Sequence, residues 1–246
     1  MAGTLYVVGV GPGDPELLTL RAARILREVK HICVPKGREE GSSLALSIIR
    51  KVVDMEGKEI IEAYFPMRKT KTQGAEKGIA ASASCELDTK WNETVETVLG
   101  ILSRGSDLAF ITIGDPSIYS TYFYLHERLL ELKPELRIEI IPGISSINAS
   151  AARAGISLGL ADDKIAVLPA TYTEGIKEII GEFDTIVLMK VHKVFDRVLE
   201  MLEETGLTGN AHYIVRAGMD DEKVFMNVRE VKSEDLNYFS LVIIRK

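Results

Sequence analysis

The sequence predicts an α/β protein of two lobes, and three observations lead to that prediction. Short apolar segments rich in β-branched residues alternate with longer amphipathic segments, as in folds whose helices cover a mainly parallel sheet. Lys133-Pro134 interrupts this alternation, because proline ends a helix and a new strand pattern begins directly after it. The alternation then resumes over the rest of the chain. We therefore predict an N-terminal lobe over 1–134, a C-terminal lobe over 135–246 and a cleft between them.

The elements of the N-terminal half follow from local patterns. Residues 17–29 predict a helix, because their leucine and isoleucine residues fall mostly on one helical face. Residues 67–90 show no periodicity and predict a long loop, and loops of that length are usually functional or disordered. The predicted strands are 5–10, 32–34, 60–65 and 108–113, and the predicted helices are 17–29, 42–53, 91–102 and 119–132.

The C-terminal half repeats this order and then changes character. Residues 224–231 and 238–244 alternate apolar and polar side chains with period two, and no helix pattern separates them. That ending predicts antiparallel strands, and therefore a mixed sheet in the C-terminal lobe. The remaining predicted strands are 137–141, 165–168, 185–189 and 213–215, and the predicted helices are 145–154, 174–180 and 194–203.

Composition and charge exclude several classes of protein. The chain has 46% apolar and 27% charged residues, which is typical of a globular protein rather than a disordered one. Its net charge of −6 argues against nucleic acid as the main partner. No apolar segment, including the strongly apolar 108–113, approaches the ~20 residues of a membrane span. The N-terminus also lacks the pattern of a secretory signal, so we expect a cytoplasmic protein with no membrane partner.

Cysteine and histidine positions argue against two further kinds of site. The two cysteines, Cys33 and Cys85, lack CxxC spacing and cannot form a disulfide framework. The histidines lack the spacing of metal ligands, so we expect no resident metal. They are His31, His126, His192 and His212.

Three strand-to-helix junctions carry the glycine, proline and polar residues that a ligand site needs. They are 9–14 (GVGPGD), 114–121 (GDPSIYST) and 142–146 (PGISS). Ligands of open α/β sheets bind just outside the carboxyl ends of strands, and glycine lets the backbone approach a ligand closely. Each junction alone also fits a structural role, namely a turn or helix cap formed by Asp14, by Asp115 or Ser117, or by paired serines.

The first junction is not a dinucleotide-binding fingerprint. The third glycine of that motif would fall on Asp14, and the second predicted strand ends at Pro35-Lys36 without an acid for a ribose hydroxyl. No GK[ST] sequence follows, so the junction is not a phosphate-binding loop either.

Taken together and in this order, the three junctions resemble a known family. GVGPGDPELLTLRA at 9–22, IGDP at 113–116 and IPGISS at 141–146 are similar to the tetrapyrrole methylases, the S-adenosylmethionine-dependent enzymes of cobalamin and sirohaem synthesis. The resemblance covers nearly the whole chain. Three further stretches resemble the branch of that family that methylates carbon 20 of precorrin-2 or cobalt-factor II: GDPSIYSTYFYL at 114–125, AVLPA at 166–170 and VLMK at 187–190.

The resemblance implies a fold, a cofactor and a set of contacts. S-adenosylmethionine would lie folded in the cleft between two α/β lobes, and the protein would form a homodimer. No side chain is implied as a catalytic base. The implied cofactor contacts are Pro12, Ile113, Gly114, Asp115, Ile118, Ser145, Ser146, Met189, Ala217 and Gly218.

The substrate of such an enzyme carries many carboxylates, which a net-negative protein must attract locally. Lys36, Arg68 and Lys69 are the basic residues that we expect to bind them through charge-assisted hydrogen bonds. A solvated charge run is the competing interpretation of these residues. Tyr119 either stacks on the macrocycle or packs in the core.

Other functions remain open at this point. One is a methyltransferase of the same fold that acts on another corrinoid precursor, on a protein in the diphthamide pathway or on ribosomal RNA. The acidic balance of the chain speaks against RNA. The other is a nucleotide-binding protein without catalytic activity, which would keep the same junctions.

Overall fold

The computed structural model describes residues 2–36, 44–65, 81–171 and 175–246, without the side chains of residue 36 and residues 81–88. The chain divides into two compact units. Unit 1 consists of Met1–Gly11 and Pro15–Ile144, and unit 2 of Pro12–Asp14 and Ser145–Lys246. Within the described residues, no helix is long and apolar enough to cross a membrane.

Unit 1 contains a five-stranded parallel sheet with the strand order β3-β2-β4-β1-β5. Its strands are β1 (Thr4–Gly9), β2 (His31–Lys36), β3 (Glu59–Tyr64), β4 (Leu108–Thr112) and β5 (Arg137–Ile141). Its helices are α1 (Leu20–Glu28), α2 (Leu44–Ile49), α3 (Ala81–Ser103) and α4 (Tyr122–Leu132).

The helices of unit 1 cover both faces of this sheet. Val8 and Ile111 belong to a core cluster with α1 and α2, whereas Val7 and Phe110 belong to another with α3 and α4. Successive strand residues point to opposite faces, so the continuous apolar runs of β1 and β4 fill both clusters. The chain leaves β1 towards β2 but leaves β4 towards β5. The carboxyl ends of β1 and β4 therefore form the topological switch point, where ligands of such sheets bind.

The structure corrects the predicted assignment of residues 137–141. The boundary at 134 assigned this strand to the C-terminal lobe, but β5 pairs in parallel with β1 in the register Leu5↔Ile138 to Val8↔Ile141. Unit 1 accordingly continues to Ile144. Lys133 does end α4, as the proline predicted. A helix-to-strand turn inside one sheet carries the same proline signal as a linker between lobes, which explains the error.

The structure also corrects part of the predicted loop over 67–90. Residues 81–90 form the first turns of α3, which continues to Ser103. The rest of the predicted loop, 67–80, lies outside the described residues. The sequence Ala81-Ser82-Ala83-Ser84 shows no apolar periodicity, yet alanine has the highest helix propensity. A prediction based on hydrophobic period therefore placed the start of this helix too late.

Unit 2 contains a five-stranded mixed sheet with the order β6-β7-β10-β8-β9. Its strands are β6 (Ile165–Pro169), β7 (Thr185–Met189), β8 (Ala211–Val215), β9 (Lys223–Phe225) and β10 (Ser240–Arg245). Its helices are α5 (Ser146–Ala154), α6 (Ile176–Glu182) and α7 (Phe195–Glu204).

The pairing in unit 2 confirms the predicted mixed sheet. β6 and β7 are parallel, whereas β10 runs antiparallel to both β7 and β8. The predicted strand over 224–231 is shorter than expected, because β9 ends at Phe225 and Val228–Glu230 forms a 3-10 turn. Asn227 accepts a hydrogen bond from the backbone of Arg229 and so begins that turn.

Candidate functional site

The three junctions that the sequence analysis singled out meet at the switch point of unit 1. Gly9 ends β1, Gly114 follows β4 and Gly143 follows β5. A Cβ atom on Gly9 would lie 2.6 Å from the carbonyl oxygen of Gly114 and 2.7 Å from the nitrogen of Gly143. The backbones at these glycines therefore touch, and a side chain has no space there.

A backbone bridge joins the first two junctions. Gly114 N–H donates to the carbonyl of Gly11 over 2.8 Å, and Gly11 N–H donates to the carbonyl of Gly114 over 3.4 Å. Both glycines have positive φ, +78° for Gly11 and +71° for Gly114. Residues with a Cβ rarely adopt this conformation, so the bridge depends on glycine at both positions.

The carboxylate of Asp115 joins the second junction to the third. Its Oδ2 accepts the Gly143 N–H over 2.9 Å, and its Oδ1 accepts the Ser117 N–H over 2.8 Å and also the Ser117 hydroxyl. Burial raises the pKa of this carboxyl, but the bonds from Ser117 and Gly143 lower it more, so that its pKa is below the ordinary value. Asp115 is therefore ionised at neutral pH, and both its oxygens bind groups of the protein.

The segment after Asp115 forms a turn rather than a helix start. Ile118 N–H donates to the carbonyl of Asp115 over 3.3 Å, whereas α4 begins later, with Thr121 as its N-cap. The capping alternative for Asp115 and Ser117 is therefore wrong. Ile118 is 36% exposed and Tyr119 49% exposed, so the structure does not place Tyr119 in the core. Tyr119 also has a positive φ of +52°, which is uncommon for a bulky residue.

Two more of the sequence-predicted residues of unit 1 have described positions. Ile113 is partly buried and packs against the core cluster of α1 and α2. Lys36 ends β2, and its side chain lies outside the described part. Arg68 and Lys69 lie outside the described residues altogether.

Ser145 caps helix α5 at the start of unit 2. Its Oγ accepts the Ile147 N–H over 3.0 Å, so the capping interpretation of this serine is confirmed. Ser146 is the first residue of the helix. A hydroxyl that accepts one hydrogen bond can still donate its own proton. Asp14 directly precedes a 3-10 turn over Pro15–Leu17, and the N-cap of α1 is Thr19.

Strands β7 and β8 bring further predicted residues to one edge of the unit 2 sheet. Both strands run antiparallel to β10 and therefore end at the same edge. Met189 is the last residue of β7. The residues directly after the two strands, Lys190 and Arg216, have positive φ values of +60° and +55°. Such conformations in residues with a Cβ are strained and concentrate at functional sites.

The loop after β8 holds Ala217 and Gly218 beside Pro12. A Cβ atom on Gly218 would lie 3.3 Å from Cγ of Pro12, and Gly218 has a φ of +75°. Gly218 N–H donates to Oε2 of Glu222 over 2.6 Å. The structure therefore brings Pro12, Ala217 and Gly218 together within unit 2, at the edge where β7 ends with Met189.

Sequence reasoning missed the roles of two side chains. Ser117 completes an Asp-x-Ser turn, and this spacing is a signal that could have revealed it. Glu222 gives no such signal, because it stands in a run of three acids, Asp220-Asp221-Glu222. Nothing in that run shows which carboxylate turns back to the glycine four residues earlier.

The histidines make mainly structural contacts. Nδ1 of His126 lies 2.9 Å from the Tyr122 hydroxyl, and Nδ1 of His212 lies 3.2 Å from the carbonyl of Met226. His31 pairs with Glu59 over 3.1 Å. Across the described ranges, no group of three or more His, Cys, Asp or Glu side chains is arranged to hold a metal ion.

The amino-acid sequence is similar to those of known proteins. Residues 4–232 match the sequence family Tetrapyrrole (Corrin/Porphyrin) Methylases. The chain is 36% identical to the cobalt-precorrin-2 C(20)-methyltransferase of Salmonella typhimurium, over 100% of this chain and 98% of that protein. It is 37% identical to a probable cobalt-precorrin-2 C(20)-methyltransferase of Methanocaldococcus jannaschii, over 98% of this chain and 96% of that protein.

A solved structure shows the same fold. The crystal structure of a cobalt precorrin-4 methyltransferase superposes with a TM-score of 0.73 at 20% sequence identity, covering 98% of this chain and 94% of that one. At this level of identity, the likeness concerns the fold alone. It extends over both units.

Proposed function

Since this chain is a member of the tetrapyrrole methylase family, we propose that it methylates carbon 20 of a precorrin-2 ring in cobalamin biosynthesis, with S-adenosylmethionine as the methyl donor. The observation that carries the proposal is the match, over almost the full length of both chains, to two relatives named for this reaction. Both relatives are named for the cobalt-containing ring, which favours that form as the substrate. A cobalt ion would then arrive as part of the substrate.

The described residues fit S-adenosylmethionine in kind. The apolar side chains of Ile118 and Met189 suit the alkyl groups around a sulfonium or the face of an adenine ring. Ala217 and Gly218 are small and allow a planar ring to approach the backbone. The Ser145 hydroxyl keeps a proton to donate. We propose these residues, with Pro12, Ile113, Gly114 and Ser146, as the cofactor contacts of the two units.

The chemistry needs positioning more than acid–base catalysis. S-adenosylmethionine supplies a methyl group on a positively charged sulfur. The protein must hold the acceptor carbon in line with that methyl group and exclude water. Fixed orientation of this kind supplies about 7–11 kcal/mol of a barrier. The touching glycines of unit 1 and the tied loop of unit 2 provide rigid backbone for this purpose. A proton leaves carbon 20 after the transfer, and we assign no side chain to accept it.

Asp115 has a different part in this proposal from the one that the family resemblance implies. Both its oxygens already bind Ser117 and Gly143. We therefore propose that Asp115 fixes the junctions that carry Gly114 and Gly143, and that removal of its carboxylate weakens cofactor binding through this loss of order.

The test of the function is an anaerobic assay with purified full-length protein and S-adenosylmethionine. Precorrin-2 and cobalt-factor II are offered in parallel, and mass spectrometry reads the addition of one methyl group. Nuclear magnetic resonance of the product made with a ¹³C-labelled methyl donor identifies the carbon that is methylated. A mass gain on neither ring, or a label on another carbon, contradicts the proposal. We further propose a homodimer, as the family resemblance implies, and size-exclusion chromatography with light scattering tests it.

We expect the basic residues outside the described part to act on the substrate alone. The double variant Arg68→Ala/Lys69→Ala should raise KM for the tetrapyrrole several-fold, roughly what loss of one or two charge-assisted bonds produces. Affinity for S-adenosylmethionine should stay at the wild-type value in calorimetry. A matched control is Arg24→Ala/Lys30→Ala, which removes two basic residues of unit 1 that pair with Glu28 and Glu59. An unchanged KM in the first variant contradicts the expectation.

A further inference from the structure

Glu222 connects two segments of unit 2. It lies in the loop between β8 and β9 and is only 16% exposed at its side chain. Its Oε2 accepts the Gly218 N–H over 2.6 Å. The Nε of Arg153, in the last turn of α5, lies 3.0 Å from Oε1 and 3.2 Å from Oε2. One carboxylate thus holds both the loop after β8 and the helix that begins after Ser145.

The loop that Glu222 holds has an unfavourable backbone conformation. Arg216 and Gly218 both have positive φ, +55° and +75°, and a residue with a Cβ adopts this conformation only when its surroundings enforce it. Two neighbouring acids supply that constraint. Asp221 accepts a hydrogen bond from Nε of Arg216, and Glu222 accepts the N–H of Gly218. A turn closed by the Glu222 N–H and the carbonyl of Met219, 3.1 Å apart, keeps both acids in place.

We propose that Glu222 is a positioning residue of the methyl-donor site. It fixes the backbone at Ala217 and Gly218, two of the proposed contacts, by accepting the Gly218 N–H. The inference rests on the proposed function, because it assumes that this loop binds S-adenosylmethionine. Glu222 acts through Gly218, since its own oxygens are engaged with Gly218 and Arg153. The N–H of Gly218 is already bonded to Glu222, so other backbone groups of the loop would bind S-adenosylmethionine.

A series of variants separates the acceptor role of Glu222 from its charge. Glu222→Ala removes both. Glu222→Asp keeps the charge but is one methylene too short to keep the 2.6 Å bond from the Gly218 N–H. Glu222→Gln keeps an oxygen that can accept the Gly218 N–H, and Arg153, which is 54% exposed, can turn to solvent. Arg153→Ala removes the ion pair and leaves the acceptor. Lys177→Ala, which breaks the exposed pair with Glu204 in the same unit, is the matched control.

The binding of S-adenosylmethionine and of its demethylated product is measured by calorimetry on full-length variants, next to steady-state kinetics. We expect Kd to rise roughly ten-fold in Glu222→Ala and Glu222→Asp, as for loss of a charge-assisted hydrogen bond. In Glu222→Gln, Arg153→Ala and Lys177→Ala it should stay within about three-fold. The KM for the tetrapyrrole and kcat at saturating donor should change by less than about two-fold, because only the donor loop is altered. A merely structural defect would move these values together with thermal stability.

The outcomes are distinguishable. Wild-type affinity in Glu222→Asp, or binding as weak in Glu222→Gln as in Glu222→Asp, overturns the inference. These two variants decide the matter even if Glu222→Ala does not fold. A wild-type protein that binds no S-adenosylmethionine overturns the proposed function instead.

Discussion

Asp115 in unit 1 and Glu222 in unit 2 stabilise the backbone of loops in the same way, each next to a different sheet. Each is a carboxylate that accepts the backbone N–H of a glycine, Gly143 in one case and Gly218 in the other. In unit 1 the glycine lies 28 residues away along the chain, while the second oxygen binds the neighbouring Ser117. In unit 2 the glycine is four residues away and the distant partner is Arg153, 69 residues away.

The difference follows from the sheets. In the parallel sheet of unit 1, adjacent strands end at the same edge, so the junctions after β1, β4 and β5 already touch through their glycines. Asp115 adds a bond to a contact that the strands create. In unit 2, β10 runs antiparallel between β7 and β8, so β10 separates the carboxyl ends of β7 and β8. Side chains must then brace the loop after β8, and Asp221 and Glu222 do so.

The largest effect that we expect is on stability. It compares Gly143, which lies against backbone, with Gly218, whose loop is held by side chains. A Cβ on Gly143 would lie 2.8 Å from the carbonyl carbon of Gly9, where no flexible side chain can move away. We expect Gly143→Ala to lower the free energy of unfolding by about 4 kcal/mol or to prevent folding. In Gly218→Ala the nearest atom is the Asp14 nitrogen at 3.1 Å, and we expect a loss of about 1–2 kcal/mol from the positive φ.

Urea unfolding of the two variants measures this difference. Gly100→Ala in helix α3, where a Cβ meets nothing within 4 Å, is the control and should be neutral or stabilising by up to about 1 kcal/mol. Equal losses in Gly143→Ala and Gly218→Ala would show that the two loops are held in the same way, and would contradict the difference between backbone contact in unit 1 and side-chain bonds in unit 2.

A smaller effect is expected from removing the carboxylate of Asp115. Asp115→Ala should destabilise the protein by about 1–3 kcal/mol, because Gly143 N–H loses its acceptor. It should also weaken S-adenosylmethionine binding about ten-fold. Ser117→Ala removes one hydroxyl bond to the same carboxylate and should cost about 1 kcal/mol or less. Calorimetry and urea unfolding measure both quantities. A stable Asp115→Ala protein with wild-type affinity for S-adenosylmethionine would show that Asp115 does not contribute to the site.

The smallest effect is a pH dependence of stability. The pKa of Asp115 is lower in the folded chain than its ordinary value, so this carboxylate contributes stability above the unfolded pKa of about 3.9. That contribution is lost as the pH falls through the lower folded value. The difference in unfolding free energy between wild type and Asp115→Asn, about 1 kcal/mol at pH 6, should therefore shrink below about pH 4. Urea unfolding between pH 6 and 3 tests this, and curves that stay parallel would contradict it.

Much of the fold could be predicted from sequence, because its main signals are local. The apolar runs of β1, β4 and β7 and the period-two ending were enough to predict the α/β order and the mixed sheet. The sheet to which β5 belongs could not be read in this way. Its partner, β1, is adjacent in the sheet but lies at the opposite end of the unit 1 sequence. Pro134 ends a helix in the same way whether a turn within one sheet or a linker between lobes follows. The start of α3 was missed because small residues carry no hydrophobic period.

In the candidate site, too, local features could be predicted from the sequence, whereas contacts between distant residues could not. Gly9, Gly114 and Gly143 were found because a ligand-binding turn needs glycine after a strand. The hydrogen-bond partners of Asp115 and Gly218 were not found, because they depend on which side chains the fold brings within 3 Å. The acid run before β9 illustrates this, since three adjacent carboxylates have the same chemistry but only structure distinguishes their partners.

The placement of Pro12–Asp14 also governs how this protein can be dissected. These residues belong to unit 2, although the chain on both sides of them belongs to unit 1. A fragment that starts at Ser145 therefore lacks three residues of its own unit, among them the proline that lies against Gly218. One proteolytic cut cannot release either unit whole. A truncated protein that contains all of unit 2 would need Pro12–Asp14 added back, either by circular permutation or as a separate peptide.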